Sequence, residues 1–340
     1  SEMTYMKRKE FTVSLNSSFF NNRIKLYADY FNTKFAGQLT IPATMFPSYF
    51  QTYWPESDMR SYYNYNDTKR TGFDWGLNLS EKFDEVSVSL GFYGMYNTAK
   101  NTKWSENVEY DWLKSEGAYA DALRGLRCAG YWNNEDEIAE AAKAENHRAG
   151  GYALVNSNTK PGDLKYIDQN GDGIIDGKDE VVIGRWGAPW TYGLNLQVAW
   201  KGFTLFVATH GNRGGNGLKN NDAAWIYGDR KYTDIVLGRW TPETAATATY
   251  PRLSSQNNGD LNFRSSDYWM YSTDAFYLDK VQLTYDFPSR WFDKKFVSGL
   301  QLYVSGSSLA TFAKERKYME TNVGAEPQCR MYNLGVKVDF

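Results

Sequence analysis

Apolar and polar residues alternate with period two along much of the chain. Near the C-terminus Tyr332, Leu334, Val336, Val338 and Phe340 alternate with Asn333, Gly335, Lys337 and Asp339. The same rhythm runs through residues 11–16, 73–80, 86–92, 192–199, 281–287 and 300–305, and more weakly through 23–35 and 203–210. Successive side chains of a strand point to opposite faces, so each segment predicts a strand with one apolar and one polar face. Nine strands result. Each is roughly 9–14 residues, at or above the length of a tilted membrane-crossing strand.

The connections alternate strictly between short and long. Short ones follow Phe20 (Asn21-Asn22), Phe83 (Asp84), Trp200 (Lys201-Gly202) and Phe287 (residues 288–298). Asn-Asn and Lys-Gly suit tight turns that need positive φ. Long ones fill residues 37–68, 101–188, 212–273 and 310–328. This rhythm predicts an all-β fold, an antiparallel transmembrane β-barrel with short turns at one end and long extracellular loops at the other. Phe19, Phe20, Phe83, Trp200, Phe203, Phe287 and Phe340 would form an aromatic belt at the short-turn end. A soluble β-sandwich, the competing fold, uses strands of about 5–6 residues and compact loops. It accommodates these segments poorly.

Composition narrows the function classes. Lys and Arg number 38 against 40 Asp and Glu, which leaves no basic footprint for nucleic acid. No run approaches the ~18 apolar residues of a transmembrane helix, and strands that alternate keep the mean hydropathy at -0.62. Cys128 and Cys329 make no disulfide framework and are expected to be unpaired. The first residues show no signal peptide, so either the protein is not exported or its true start lies upstream.

The long connections carry local signals. Asn134 followed by Glu135, Asp136, Glu137 and Ile138 reads as an N-cap with a capping box. It predicts a short polar surface helix through Ala144 that stops near Gly150-Gly151. Asp168, Asn170, Asp172, Ile174, Asp176 and Asp179 have the spacing of a calcium loop: side-chain oxygens at positions 1, 3, 5, 9 and 12, a carbonyl at 7 and Gly173 at 6. Asp replaces the usual bidentate Glu at position 12. A structural Ca²⁺ is expected there; the alternative is an Asx-rich turn closed by its own side chains. His147 and His210 have no catalytic partner at motif spacing, and the glycine-rich 211–217 opens no helix, so it reads as a flexible loop. Nothing points to an enzyme.

Several blocks resemble SusC/RagA-type TonB-dependent outer-membrane transporters of Bacteroidota. They are 161–168 running into 170–176, then Val182-Ile183-Gly184, Tyr192-Gly193-Leu194-Asn195, 238–243, Tyr250-Pro251-Arg252-Leu253, 264–269, 277–285 and 302–306, with a terminal Phe340. The blocks span about 160–340; the first 160 residues agree in strand pattern only. The resemblance implies a C-terminal portion of a 22-stranded barrel in the cell outer membrane. It further implies TonB-dependent uptake of oligosaccharides or peptides with a SusD-like surface lipoprotein, driven by the TonB–ExbB–ExbD complex through a missing N-terminal part. Domain organisation follows: the whole of 1–340 is barrel, with 101–188 and 212–273 as its major extracellular loops. Tryptophans in the long loops, Trp186, Trp225, Trp240 and Trp269 foremost, suit stacking on sugar rings; the alternative is that they pack the loops. Two other functions fit the residues: a soluble, calcium-stabilised glycan-binding β-module, and a TonB-dependent receptor for an iron chelate.

Overall fold

A computed structural model describes residues 3–42, 46, 60–254, 259–292, 296–317 and 329–340. All nine expected strands are present. They are β1 (Lys7–Phe19), β2 (Ile24–Thr40), β3 (Tyr63–Phe83), β4 (Val86–Lys103), β5 (Trp190–Trp200), β6 (Phe203–Arg213), β7 (Ala275–Asp286), β8 (Gly299–Ala313) and β9 (Met331–Asp339). They form one sheet in which each strand pairs antiparallel with its neighbour in chain order. The strands next to the long connections outrun the sequence expectation, because polar residues occupy both faces there and the alternation fades. The tight turns take the positive φ their residues suggest: 53° and 67° at Asn21 and Asn22, 52° at Asp84, and 46° and 84° at Lys201 and Gly202.

The exposure pattern of this sheet inverts that of a soluble protein. Leu283 is 43% exposed while its neighbour Thr284 is 7%, and Val304 is 50% against 6% for Ser305. Apolar side chains line up in register across strands: Val88, Val198, Leu205, Leu283, Val304 and Leu334 face each other pairwise from β4 to β9. The opposite face carries hydrogen-bonded polar groups. The Tyr93 hydroxyl donates to Asn78 Oδ1 at 3.0 Å and accepts from Asn195 Nδ2 at 3.1 Å. Gly91 lies beneath them, where a Cβ would stand 2.5 Å from that hydroxyl. A surface of exposed Leu and Val is stable only against an apolar solvent, so the outward face is the lipid face of a transmembrane barrel.

Aromatic rings bound the lipid face at both ends. At the short-turn end, ring centroids run Phe203–Tyr285 at 4.4 Å, Tyr285–Phe287 at 4.9 Å and Phe287–Trp291 at 5.6 Å, beside exposed Phe19, Phe83 and Trp200. About ten residues up each strand, Phe73, Tyr96 and Trp190 cluster at 4.7–5.8 Å, and Phe276 and Phe312 stand 6.3 Å apart. Trp190 and Trp200 begin and end β5. At ~3.3 Å per residue and a ~40° tilt, the two belts stand about 25 Å apart, the height of a barrel's apolar band.

The two longest connections are not separate loops. Glu106–Trp186 and Asn216–Tyr271 fold together as a compact unit. Its core holds Leu123, Leu126, Leu164, Tyr166 and Ile175 from the first connection and Leu218, Ile226, Val236, Tyr250 and Trp269 from the second. Main-chain bonds join them: Leu126 N–H donates to Ser265 O and Asp267 N–H to Leu126 O. At the centre Asp163, 1% exposed, accepts from Arg252 and Asn262, while Asn262 Oδ1 accepts from Leu164 N–H at 2.8 Å. Residues 211–217 are ordered rather than flexible: β6 ends at Arg213, and Asn216–Leu218 pairs with Met270–Ser272. The helix α1 (Glu135–Ala141) is shorter than expected. Asn134 caps it through Glu137 N–H, but Glu137 reaches back to Asn133 N–H instead of closing a reciprocal box. It is not wholly a surface helix, since Ile138 and Ala141 pack on buried Trp132. Both cysteines are free, and burial pushes the Cys128 thiol up to about 11.

Leu196 lies midway between the belts on the lipid face, so Leu196→Arg should destabilise the full barrel by ~2–4 kcal/mol. Leu302→Arg, opposite Tyr285 in the aromatic belt, should cost no more than ~1 kcal/mol, as should Gln197→Arg on the polar face. Urea titration in detergent micelles checks the order, and equal costs would refute the face assignment. Asp163→Ala leaves Arg252 buried without its carboxylate and should destabilise the compact unit by ~3–5 kcal/mol. Its amide-exchange protection would fall while that of the sheet is kept.

Candidate functional site

The calcium-type segment begins where the strand Leu164–Asp168 ends and closes on the short 3-10 turn Gly177–Asp179. Its two end carboxylates, Asp168 and Asp179, are fully buried. Asp168 accepts from Gly171 N–H at 2.7 Å and Gly173 N–H at 2.8 Å. Asp179 accepts from Gln169 and Asp176 N–H, both at 2.8 Å. Asn170 and Asp172 are more exposed and bond to the chain two residues on. Asp176 caps the 3-10 turn through Lys178 N–H at 2.7 Å. Ile174 is exposed, with its N–H held by Asp172. The six expected ligands thus share one turn, and the side-chain oxygens of Asp168, Asn170, Asp172, Asp176 and Asp179 accept from backbone N–H groups. Among the described residues no three His, Cys, Asp or Glu side chains converge as a metal cluster.

The electrostatics of the turn leave room for a cation. Burial raises the Asp179 carboxyl above its usual range, the nearby Asp168 charge adds to that, and the N–H bonds only partly oppose it. Neither carboxylate has an ion-pair partner among the described residues. The donor set is wholly hard oxygen, which fits Ca²⁺ and not a thiolate- or imidazole-preferring ion. Gly171 and Gly173 have φ of 77° and 83°. A Cβ on Gly173 would also stand 2.3 Å from His147 Nδ1. His147 is therefore the packing lid of this turn, a role that sequence spacing did not show. Arg264, from the second connection, donates to Ile175 O at 2.6 Å and ties the turn to the core.

The four tryptophans divide. Trp240 is 7% exposed and Trp269 2%. Trp269 Nε1 donates to Asn262 O at 2.8 Å, and its ring meets Tyr250, Tyr268, Phe263 and Trp225. Trp225 packs on the same core, and Trp240 covers Gly162. Trp240 and Trp269 are buried in the unit's own interior, and Trp225 is partly buried against the same core. Trp186 alone remains exposed. His210 lies on the polar face of β6, 2.6 Å from Asp279 and stacked on Tyr277.

Comparison with known proteins fits this geometry. No protein-family model matches the chain. Its sequence is 21% identical to TonB-dependent receptor P3 of Formosa agariphila, over 98% of this chain and 34% of that protein. It is 24% identical to TonB-dependent receptor P26 of the same bacterium, over 99% and 35%. In fold it matches the RagAB peptide importer in the open-open state, with a TM-score of 0.72 at 18% identity, over 100% of this chain and 35% of that one. The closed-closed state gives 0.71 over 98% and 35%. The chain thus spans about a third of the length of the relatives it matches. With its outward apolar sheet, it is a segment of outer-membrane β-barrel, similar along nearly its whole length to TonB-dependent receptors of a Bacteroidota and to the RagA-type transporter fold.

Proposed function

We propose that this chain is the C-terminal part of a TonB-dependent outer-membrane importer of oligosaccharides or peptides. It would work with a SusD-like surface lipoprotein and with the TonB–ExbB–ExbD complex, through segments that its longer relatives carry. The observation that supports this reading most is the inverted sheet, lipid-facing on one side and hydrogen-bonded polar on the other. A soluble glycan-binding module would have to cover those apolar faces. Among the described residues β1 and β9 each pair with one strand only, and hydrocarbon does not tolerate such open edges; the further strands of a whole barrel would pair them. The long connections, leaving from the end opposite the tight turns, would lie outside the cell. Cargo contacts would fall on the polar face, where Asn78, Tyr93 and Asn195 offer groups for peptide amides or sugar hydroxyls alike, and on Trp186.

Deleting the gene in its host and restoring it with a tagged full-length copy tests this. Uptake of labelled peptides or labelled oligosaccharides should vanish and return, and the tagged protein should co-purify with a surface lipoprotein. Unchanged uptake of both cargo classes overturns the reading, and loss of uptake of an iron chelate alone replaces it with the chelate receptor.

We further propose a structural Ca²⁺ in the turn, held by Asp168, Asn170, Asp172, Asp176 and Asp179 with the Ile174 carbonyl. The cation would neutralise the two buried carboxylates and clamp the turn to the core that joins both connections. At a hundredfold excess over Kd, binding only the folded turn stabilises it by ~2.7 kcal/mol. Limited proteolysis of the full transporter should therefore cut residues 106–186 faster in chelator than in calcium, and Asp168→Asn with Asp172→Asn should cut equally fast in both. If chelator leaves wild-type cleavage unchanged, the turn is closed by its own N–H bonds alone.

A further inference from the structure

Within the compact unit, residues 106–116 are held in place without a core of their own. None of them is buried, and none joins either buried cluster of the unit. Their main chain is nevertheless fixed at several points. The Glu106 carboxylate accepts from Ser115 N–H at 2.7 Å and from Glu116 N–H at 2.9 Å. The Arg124 guanidinium donates to Trp112 O at 2.8 Å and to Lys114 O at 2.6 Å. Trp112 Nε1 donates to Lys178 O at 2.7 Å. Hydrogen bonds with an ionised partner are the strong ones. Here Glu106 and Arg124 spend theirs on ordering a surface segment.

That segment presents an aromatic pair. Tyr110 and Trp112 stack with ring centroids 4.6 Å apart and planes 11° from parallel. Both are half-buried, and among the described residues no third ring or cation lies over either one. The bond to Lys178 O fixes the rotation of the indole, so the stack keeps one orientation before any ligand arrives. Two ion pairs flank it, Asp111 with Lys114 at 2.5 Å and Glu109 with Lys178 at 3.6 Å, all four side chains about half exposed or more. Carboxylates accept and ammoniums donate, and a hydroxyl can bond to both kinds. A ligand of one charge would meet like charge on this rim. Residues 106–116 form no strand, so they offer an extended peptide no sheet edge to pair with. An aromatic face beside hydroxyl-bonding groups suits the C–H face of a sugar ring.

We propose that the Tyr110–Trp112 stack is a docking platform for a pyranose ring of an uncharged oligosaccharide. The sugar's C–H face lies on an outer ring face, and its hydroxyls reach Glu109, Asp111, Lys114 and Lys178. The site rests on the importer reading above, and within it selects oligosaccharide over peptide.

Binding to the purified full-length protein in non-ionic detergent tests the platform apart from transport. An array of uncharged oligosaccharides spanning the common hexose and pentose linkages is probed first, and its best binder is carried into titration calorimetry. Tyr110→Ala with Trp112→Ala should weaken that binder by about tenfold or more, the scale of a lost ring contact. Trp112→Phe keeps a ring without the N–H bond and should weaken it less. Leu237→Ala, at an exposed position of the second connection, should change nothing. An unaltered melting temperature shows that a variant is folded. If the double variant melts early, Tyr110→Ala alone decides, because it leaves the Trp112–Lys178 bond in place. No binder on the array, equal binding by the folded variant, or displacement of the sugar by short peptides overturns the proposal. Sugar binding that persists while gene deletion leaves uptake unchanged keeps the platform and removes the importer reading. Uptake of peptides alone, with no sugar bound, does the reverse.

Discussion

Backbone pairing in a medium without water is the constraint from which the rest of this chain follows. Inside hydrocarbon every N–H and C=O must find a partner in the protein. The chain meets that demand with strands that each pair to the next in order, so no crossover has to pass through lipid. Antiparallel neighbours then need only tight turns at one end, which is why Asn21-Asn22, Asp84 and Lys201-Gly202 suffice. The fourth connection of that end, residues 288–298, is longer, and the longest ones accumulate at the other end. Alternation follows from the same constraint, because a strand with lipid on one side must confine its apolar residues to alternate positions.

The accumulated connections solve a second problem. A long excursion anchored only at its two ends gains little from folding, because ordering each residue costs ~1–2 kcal/mol of backbone entropy. Two such excursions folded around a shared interior can offset that cost. The Asp163–Arg252–Asn262 cluster fixes how they meet. Asp163 is held by an arginine and an amide from the other connection, and the same amide holds the main chain at Leu164. A buried carboxylate with these partners specifies one register for the two segments, where Leu and Trp contacts alone would allow several.

What could be read from the sequence divides along the range of the interaction. Strands, faces and turn positions are local properties, carried by neighbours two residues apart, and they were legible to within a few residues. The paired connections were not. Leu126 and Ser265 are far apart in sequence, and no period links them. The blocks around Asp163, Arg252 and residues 264–269 stood out as family features without showing that they touch. The tryptophans left two readings open for a related reason. A Trp in a segment that looks like loop suggests an exposed ring, and only the hidden core reveals why Trp240 and Trp269 are buried. His147 over Gly173 is the same case on a smaller scale.

The calcium-type turn is closed by its own backbone and side-chain bonds, and the calcium proposed for it would use the same residues. Asp168 and Asp179 each accept two backbone N–H bonds, enough to shape the turn without a cation. Those bonds do not cancel the charge. Burial raises the Asp179 carboxyl, the nearby Asp168 adds to that, and the N–H bonds oppose it only in part. A carboxylate oxygen has more than one lone pair, so an N–H bond and a cation need not compete for it. The arrangement that closes the turn is therefore also the one that would hold its oxygens ready for a hard cation. Gly171 and Gly173 supply the backbone that a wrapped ion needs, and Arg264 carries the turn's position into the core shared by both connections.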